Sequence, residues 1–120
     1  TVDEREMWQV SMRHVAHEGR CFVVSACQVQ ASPQALGMEI ANWPSERPLI
    51  AGGSVIVGPM GDILAGPLLG EAGLLTAQID TDDLVRARYD YDVVGHYARP
   101  DVFELVVDER AKPGVRYITD

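Results

Sequence analysis

The chain has 120 residues and a formal net charge of -8, with ten Lys and Arg against eighteen Asp and Glu. This length allows one domain at most. Because the sequence has no basic cluster, a nucleic acid or an anionic membrane surface is excluded as the expected partner. No stretch is apolar and long enough to span a bilayer, so we expect no membrane association.

The two cysteines, Cys21 and Cys27, fall on one predicted strand. At about 3.3 Å per residue their Cα atoms would lie about 20 Å apart, which is beyond the reach of a disulfide. Free thiols suit a reducing compartment, and we therefore expect a cytoplasmic location. The N-terminal residues lack both the layout of a signal peptide and an initiator Met, so we also expect the chain to begin inside a longer polypeptide.

The first predicted element is a helix. Asp3 and Glu6 resemble a capping box at its start, and Gly19 is a natural end. The apolar residues between these ends form a face wider than a surface helix of a two-layer structure needs. They are Met7, Trp8, Val10, Met12, Val15 and Ala16.

An apolar run and a long loop follow the helix. Residues 21–27 carry β-forming apolar side chains on both faces, which predicts a strand in the middle of a sheet. Residues 30–50 contain prolines and a glycine among few periodic apolar positions, which predicts a surface loop. A loop of this length could form a rim over a pocket or an interface.

The next pattern is typical of antiparallel strands. Residues 54–57 and 63–65, with a glycine-containing turn between them, predict a β-hairpin that ends at Pro67. Residues 74–79 predict a third strand, which is antiparallel because its connection is short.

A second helix and a last strand are predicted near the C-terminus. Acidic residues at 80–83 favour a helix start, since carboxylates there interact with the positive end of the helix dipole. We expect this helix to run from Asp82 to Tyr91. Residues 102–107 alternate well enough to predict a strand, and the pattern is lost after Asp108.

Three stretches together resemble one known family. They are SMRHVAHEGRCFVVSACQ at 11–28, GGSVIVGPMGDILAGPL at 52–68 and DYDVVGHYARPDVF at 90–103. In this order and spacing they resemble the C-terminal half of a nitrilase, in the carbon-nitrogen hydrolase superfamily. The Gly-His-Tyr-x-Arg-Pro-Asp-Val-Phe run is typical of the nitrilase branch and not of its amidase and carbamoylase relatives. We therefore assign residues 1–110 to the C-terminal half of such a domain and 111–120 to a C-terminal tail.

The resemblance implies an α/β fold, namely the C-terminal part of an α-β-β-α sandwich with mostly antiparallel strands and two helices. It also implies hydrolysis of a small nitrile to a carboxylic acid and ammonia, without a cofactor, in a homo-oligomer that is a dimer or a spiral. In the family a Cys thiolate attacks the nitrile carbon, a Glu handles protons and a Lys stabilises developing charge. A thioimidate and then a thioester are the intermediates.

The sequence departs from the family in its catalytic residues. In the family all three precede the stretch with which this chain begins, and no Cys-Trp-Glu elbow is present here. The sole lysine is Lys112, in the unpatterned tail. If the resemblance holds, the triad lies in residues absent from this chain, and no residue here is catalytic. The partner of this chain is then the N-terminal half of the same enzyme.

Three residues of the first predicted strand are candidates for contact with a substrate: Ser25, Cys27 and Gln28. The family pattern places Cys27 near the pocket, but no basic residue flanks it to activate the thiol, which favours a buried packing role. Ser25 and Gln28 could line a substrate site. Alternatively, both are polar groups that hydrogen-bond to the backbone.

The first helix carries a possible metal pair and possible subunit contacts. His14 and His17 lie three residues apart beside Glu18, but a zinc site needs three or four converging ligands, so we expect no metal. In the family this helix packs at the dimer surface. The resemblance therefore makes Arg13, His17 and Glu18 candidates for contacts between subunits.

His96, Arg99 and Asp101 form the second polar cluster of the sequence. They could act as a catalytic relay, but no Ser or Cys nucleophile lies beside them. The simpler interpretation is a hydrogen-bonded corner that anchors the C-terminal segment or contacts a neighbouring subunit.

Three functional alternatives remain open on the sequence alone. The chain could be a noncatalytic assembly or interaction module, or part of a cyanide-degrading or amide-hydrolysing relative of the same superfamily. It could also be a small hydrolase that uses Cys27 as its nucleophile. In isolation we expect it to be unstable or oligomeric, because half of a two-sheet sandwich exposes an apolar face.

Overall fold

The computed structural model describes residues 4–92, 94–110 and 114. The elements are helix α1 (Arg5–Gly19), strands β1 (Val23–Ser25), β2 (Val29–Gln30), β3 (Ile50–Val57) and β4 (Ile63–Leu69), and helix α2 (Asp82–Asp90). Two helices and an antiparallel sheet confirm the expected α/β class. Neither helix is long and apolar enough to cross a membrane, as far as the described residues show.

Strand β3 is the centre of the sheet. β1 and β2 both pair with one of its edges, and β4 pairs with the other, always antiparallel. Val23 lies opposite Val57 and Gln30 lies opposite Ile50, in one register that does not slip between the two ends. β1 and β2 are therefore two parts of a single strand whose pairing is interrupted at residues 26–28.

The expectation of a central strand over residues 21–27 is wrong for this chain. The strand there is only Val23–Ser25, it lies beside β3, and the Val24 side chain is 70% exposed. Val23 instead packs against the core. Adjacent strand residues point to opposite faces, so one face of β1 is covered by α1 and the other is open in the described part of the chain.

The core lies between α1 and β3. It consists of Ala16, Val55 and Val57, with Met12 and Val23 packed against it. The opposite side of α1 remains largely exposed, although it carries three apolar residues: Met7, Val10 and Val15. The broad apolar face predicted for this helix is thus only partly covered.

Helix α1 ends at Gly19, as expected, but the left-handed residue is Arg20, with φ 48°. A left-handed conformation costs a non-glycine residue roughly 1–2 kcal/mol. The buried guanidinium holds the residue in place: Nη1 lies 3.1 Å from Met60 Sδ and 3.3 Å from His17 Nδ1, and Nη2 lies 3.6 Å from Asp90 Oδ2. At the other end Glu4 is the N-cap and makes no side-chain capping bond. The capping residue predicted at Asp3 lies outside the described residues.

The predicted hairpin is confirmed. Its turn is closed by the Gly58 N–H donating to Asp62 O at 2.8 Å and the Gly61 N–H donating to Gly58 O at 2.9 Å. Pro67 does not end the second strand, because β4 continues to Leu69. A proline is tolerated there because β4 is an edge strand in the described sheet, where a missing N–H breaks no ladder.

The predicted loop is confirmed, with neither helix nor strand between residues 31 and 49. Its base is closed by the Leu49 N–H donating to Ala31 O at 3.3 Å, and its middle by the Gln34 N–H donating to Ser45 O at 3.0 Å. The loop is therefore an ordered turn-rich segment beside the sheet.

Helix α2 (Asp82–Asp90) ends one residue before the predicted boundary. At its start Asp80 Oδ1 accepts a hydrogen bond of 2.9 Å from the Asp82 N–H. That bond, together with the Arg86 guanidinium, holds the pKa of the Asp80 carboxyl below its ordinary value. Asp80 thus stabilises this helix in its ionised form.

Two predicted strands, at residues 74–79 and 102–107, are absent from the structure. Both segments lack regular secondary structure and are mostly exposed, and Leu74 is 90% exposed. A strand forms only where a neighbouring edge supplies hydrogen-bond partners, and these segments pair with none of the four described strands. Neither segment therefore has a sheet to join within the described residues.

The chain is far from compact. Its Cα radius of gyration is 20.7 Å, against about 14 Å for a compact domain of this length. Its accessible surface is 9693 Å², against about 6,400 Å² for a compact protein of this size. Part of this surface is apolar, as expected, because large apolar side chains such as Leu74 and Leu105 are about nine-tenths exposed.

The contact between the hairpin turn and α1 can be tested at Gly61. This residue has φ 84°, Arg13 Nε donates to its carbonyl at 2.7 Å, and a Cβ there would lie 3.3 Å from Arg13 O. Gly37 also has positive φ, but a Cβ there would meet nothing within 4 Å. We expect Gly61→Ala to destabilise the protein by about 1 kcal/mol more than Gly37→Ala, because only the first also disturbs a hydrogen bond. Urea unfolding followed by circular dichroism measures both, and equal losses would contradict the docking role of Gly61.

Candidate functional site

A cleft of about 1010 Å³ opens where the first turns of α1, the interruption between β1 and β2, the end of the long loop and the end of β4 meet. Its lining consists of Glu4, Arg5, Trp8, Ala26, Cys27, Gln28, Trp43, Arg47, Pro48, Leu49, Ile50, Ala51, Gly52, Leu69 and Gly70. Residues 43 and 47–49 of the long loop belong to this lining, so the loop borders a pocket, which is one of the two roles that the sequence left open.

The floor of the cleft is the interruption in the ladder. Gly52 and Gly53 have φ values of 82° and 120°, which turn the peptide groups of β3 away from the strand geometry opposite residues 26–28. The Ser54 hydroxyl replaces the missing ladder bonds, since Cys27 N–H donates to Ser54 Oγ at 2.9 Å and Ser54 Oγ donates to Cys27 O at 3.4 Å. The main chain at Cys27 is therefore held without continuous β-pairing.

Gly52 is required for this arrangement. A Cβ at that position would lie 2.9 Å from Leu68 O, a distance that real Cβ atoms do not show, and 3.1 Å from the Val29 side chain. Positive φ adds backbone strain for any other residue. The floor thus depends on a glycine inside β3, the first strand of the hairpin.

The inner wall of the cleft is the Trp8 side chain on α1. Its Nε1 donates to Ser25 Oγ at 3.1 Å, and the next residue, Gln9, donates through Nε2 to Gly53 O at 3.0 Å. These two bonds tie the N-terminal half of α1 to β1 and to the ladder interruption. The indole is therefore fixed in orientation before any ligand binds.

The outer wall is formed by Trp43 and Arg47 of the long loop. Trp43 Nε1 donates to Arg47 O at 3.0 Å, and the Arg47 guanidinium carbon lies 5.1 Å from the centre of the Trp43 ring. A guanidinium at this distance from an indole makes a cation–π contact. This wall is therefore stiffened by contacts within one turn of the loop.

Two of the three predicted substrate-contacting residues line the cleft, and the third does not. Cys27 and Gln28 line it, whereas Ser25 lies behind Trp8 and accepts its hydrogen bond. Both cysteines are free, as predicted. Contact of these three residues with a substrate stays a prediction.

The cleft does not resemble an assembled catalytic site. Its described lining contains Cys27 but neither lysine nor histidine, and its charged side chains are Glu4, Arg5 and Arg47. The hydrogen bonds of Cys27 described here involve its main chain. The arrangement can enclose and orient a small apolar molecule, and it does not favour Cys27 as a nucleophile.

The predicted subunit contacts on α1 are engaged within the chain. Arg13 binds the hairpin turn, His17 Nδ1 contacts Arg20, and His14 Nε2 lies 3.0 Å from Glu18 Oε2 on the exposed surface. Among the described residues, no three metal-binding side chains converge. A role for Arg13, His17 and Glu18 between subunits stays a prediction.

The structure divides the second polar cluster. Arg99 binds Asp101 through two hydrogen bonds of 2.7 and 2.6 Å, which lowers the pKa of the Asp101 carboxyl. His96 Nδ1 instead lies 3.9 Å from Asp92 Oδ2, and the His96 ring packs on the Tyr97 ring with 4.3 Å between the two ring centroids. The three predicted residues therefore do not form one relay in this structure, and their anchoring role stays a prediction.

Sequence reasoning missed Trp43, Arg47 and Ser54 as site residues. Trp43 is a large aromatic residue in a segment otherwise typical of a polar loop, which was an available signal. Ser54 directly follows two glycines, and its role depends on a main-chain partner that lies far away in sequence. Only the folded register brings that partner within reach.

Comparisons with known proteins agree with the sequence resemblance. A sequence model of the carbon-nitrogen hydrolase family matches residues 5–89. An aliphatic nitrilase of Sinorhizobium fredii (strain HH103) is 52% identical over 118 residues, covering 96% of this chain and 38% of that protein. An arylacetonitrilase of Trametes versicolor is 50% identical over 113 residues, covering 91% of this chain and 35% of that protein. The chain thus spans little more than a third of these two relatives.

A shorter relative is matched over nearly all of its length. A nitrilase-like protein of Saccharomyces cerevisiae is 48% identical over 112 residues, which cover 83% of this chain and 94% of that protein. The similarity therefore includes a relative of about the same extent as this chain.

The role of the Ser54 hydroxyl in the cleft floor can be tested directly. We expect Ser54→Ala to destabilise the protein by about 1–2 kcal/mol, because the Cys27 N–H loses its partner. Ser11→Ala is the matched control, since Ser11 Oγ donates to Met7 O on the exposed side of α1, and its effect should stay within about 0.5 kcal/mol. Urea unfolding measures both changes, and amide exchange at Cys27 should accelerate in Ser54→Ala alone. Unchanged exchange would contradict this role.

Proposed function

We propose, starting from the fact that this chain belongs to the carbon-nitrogen hydrolase family, that it forms part of an enzyme that hydrolyses a nitrile to a carboxylic acid and ammonia. The observation that carries the proposal is its identity of about one half with two enzymes named as nitrilases, over more than nine-tenths of this chain. The cleft supports the proposal, because it offers a mostly apolar enclosure of the kind that binds small organic molecules.

The proposed reaction uses a Glu-Lys-Cys triad located in residues outside this sequence. The Cys thiolate adds to the nitrile carbon to give a thioimidate, and one water releases ammonia and leaves a thioester. A second water releases the carboxylic acid and restores the thiol. The absence of lysine from the described lining of the cleft supports a source elsewhere for the catalytic groups.

This chain's own contribution is to hold the substrate. Cys27 and Gln28 form the floor of the cleft, and Trp8, positioned by Ser25, forms one wall. Because the Trp8 indole and the Cys27 main chain are fixed by hydrogen bonds within the chain, binding would orient the nitrile at a small cost in conformational freedom.

We further propose that the sheet is one layer of an α-β-β-α sandwich. α1 covers one face of β1 through Val23, and Val24 on the other face is exposed. A second sheet packed on that face would bury Val24 and complete the layers. We also propose a cytoplasmic location, which the two free thiols support.

A homo-oligomer is also part of the proposal, and the exposed apolar side chains of α1 support it: Met7, Val10 and Val15. An apolar helix face of this kind is stabilised by contact with a second copy. We expect the isolated 120-residue chain to self-associate or aggregate at micromolar concentration, as measured by light scattering. A monodisperse monomer would contradict the expectation.

One comparison favours a second candidate function. The yeast nitrilase-like relative is matched over 94% of its own length, so a chain of this extent need not carry more of the enzyme. In that case the chain would act as a noncatalytic assembly module that supplies a sheet and a helix to a partner.

Ammonia release from a simple nitrile separates these functions. We expect the polypeptide encoded by the full reading frame that contains this sequence to release ammonia. The purified 120-residue chain should be inactive, because the triad lies elsewhere. Activity with an amide or with cyanide in place of the nitrile would instead indicate a related activity of the same superfamily. If that full polypeptide is inactive on the nitrile, the amide and cyanide, the result favours the second function, a noncatalytic assembly module.

The same assay tests the thiol in the cleft. Cys27→Ala in the full polypeptide should retain activity within about tenfold, with Cys21→Ala as the control, because neither thiol is proposed to react. A loss of more than about a hundredfold in a folded Cys27→Ala variant would identify Cys27 as the nucleophile. Turnover by the 120-residue chain alone would equally overturn the proposal that the catalytic triad lies outside this chain.

A further inference from the structure

We propose that Met60 is a site of reversible oxidation, and that its sulfoxide oxygen binds the Arg20 guanidinium more strongly than the thioether sulfur does. The inference goes beyond the proposed reaction, because neither residue belongs to the described lining of the cleft. The observation that carries it is a buried guanidinium whose shortest described polar contact is a half-exposed methionine sulfur, at 3.1 Å.

Arg20 is a buried cation without a strong acceptor in the described part of the chain. It is 7% exposed, and besides Met60 Sδ its Nη1 has only His17 Nδ1, at 3.3 Å. Asp90 Oδ2 lies 3.6 Å from Nη2, which is beyond hydrogen-bond distance. The Arg20 Nε is buried and has no hydrogen-bond partner among the described residues. Since a buried N–H without an acceptor costs free energy, an added oxygen would stabilise this site.

Met60 can supply that oxygen by a covalent change. Its side chain is 52% exposed on the hairpin turn of the described chain, so the sulfur lies where an oxidant arrives from solvent. A thioether sulfur is a weak acceptor, whereas oxidation converts the methionine into a polar side chain that carries an oxygen acceptor. Because a methionine side chain has three rotatable bonds, the new oxygen can turn toward the guanidinium that already contacts the sulfur.

The oxidant is a hydroperoxide, of which hydrogen peroxide is the simplest. A sulfur lone pair forms a bond to one peroxide oxygen, the O–O bond breaks, and the sulfur is oxidised by two electrons. The second oxygen leaves as hydroxide and takes the proton of the transferred oxygen to become water. A methionine sulfoxide reductase reverses the change, since two of its thiols become a disulfide and the sulfoxide oxygen leaves as water.

The expected effect has the opposite sign to that of most methionine oxidations. In a core, a sulfoxide disrupts apolar packing. Met60 is half-exposed, so it loses little packing, and the bond that it gains belongs to the stronger class of hydrogen bonds to a charged group. Oxidation should therefore tighten the contact between the hairpin turn and the end of α1.

The first experiment treats the full-length polypeptide and its variant Met60→Leu with hydrogen peroxide, and peptide mass spectrometry identifies the oxidised residues. Two amides at the junction report on it: Cys21 N–H donates to Ala16 O at 3.1 Å, and Gly61 N–H donates to Gly58 O at 2.9 Å. We expect their hydrogen exchange to slow by about tenfold in the oxidised wild type.

Met60→Leu is the matched control of this experiment. Its cysteines and its other methionines are oxidised as in the wild type, so their contributions cancel in the comparison. Exchange in this variant should not slow. Treatment of the oxidised wild type with methionine sulfoxide reductases for both sulfoxide epimers should restore the original exchange rates.

A second experiment tests the acceptor without an oxidant. Met60→Gln places a carbonyl oxygen near the position of the sulfoxide oxygen, and we expect its Tm to lie about 2–4 °C above that of Met60→Leu. In an Arg20→Ala background this difference should disappear. The same pair of substitutions at Met38, a half-exposed methionine of the long loop, should differ by less than about 1 °C.

Three results would each overturn the inference. They are faster exchange at the junction after oxidation, an unmodified Met60 in a protein whose Met38 is oxidised, and equal Tm values for Met60→Gln and Met60→Leu. If Arg20→Ala does not fold, the comparison of the two Met60 variants in the otherwise unchanged protein still decides. None of these measurements depends on turnover of a nitrile, so they succeed or fail separately from the proposed function.

Discussion

The structure depends on one local constraint, the interruption of β-pairing between residues 26–28 and 52–54. The register on the two sides of the interruption is the same, so the chain does not slip. Two consecutive glycines with positive φ turn the main chain of β3 out of the ladder, and the Ser54 side chain replaces the lost bonds to Cys27. A continuous ladder would have closed the floor of the cleft, whereas a slipped one would have moved the core valines to the wrong face.

The walls of the cleft follow from the same constraint. Gln9 donates a hydrogen bond to the carbonyl of Gly53, which lies at the interruption of the β-ladder. This bond sets the position of the neighbouring residue on the helix, Trp8. The hairpin fixes the other side, since Gly52 leaves no space for a side chain against Leu68. Helix, sheet and loop therefore meet at the interruption, and the site is a property of the backbone as much as of its side chains.

The sequence predicted what is local and missed what depends on distant partners. The two helices, the hairpin and the long loop follow from glycine, proline, capping and periodicity signals, and the structure confirms them. Residues 74–79 and 102–107 were predicted as strands, but no described edge pairs with them. Cys27 and Gln28 were identified because their strand was prominent, whereas Ser54 and Trp43 were missed because their roles arise only from the register and from the fold of the loop.

Arg20 joins three parts of the chain on one buried side chain. It ends α1 in a left-handed conformation, contacts Met60 in the hairpin turn and lies against Tyr91 after α2. Because one side chain contacts all three parts, a displacement of the segment beyond Tyr91 would alter the contacts of Arg20 at the end of α1. Asp90, the last residue of α2, lies 3.6 Å from the Arg20 guanidinium. A graft that exchanged the region after α2 for that of another protein would keep this ion pair, and it would have to supply an aromatic ring in place of Tyr91.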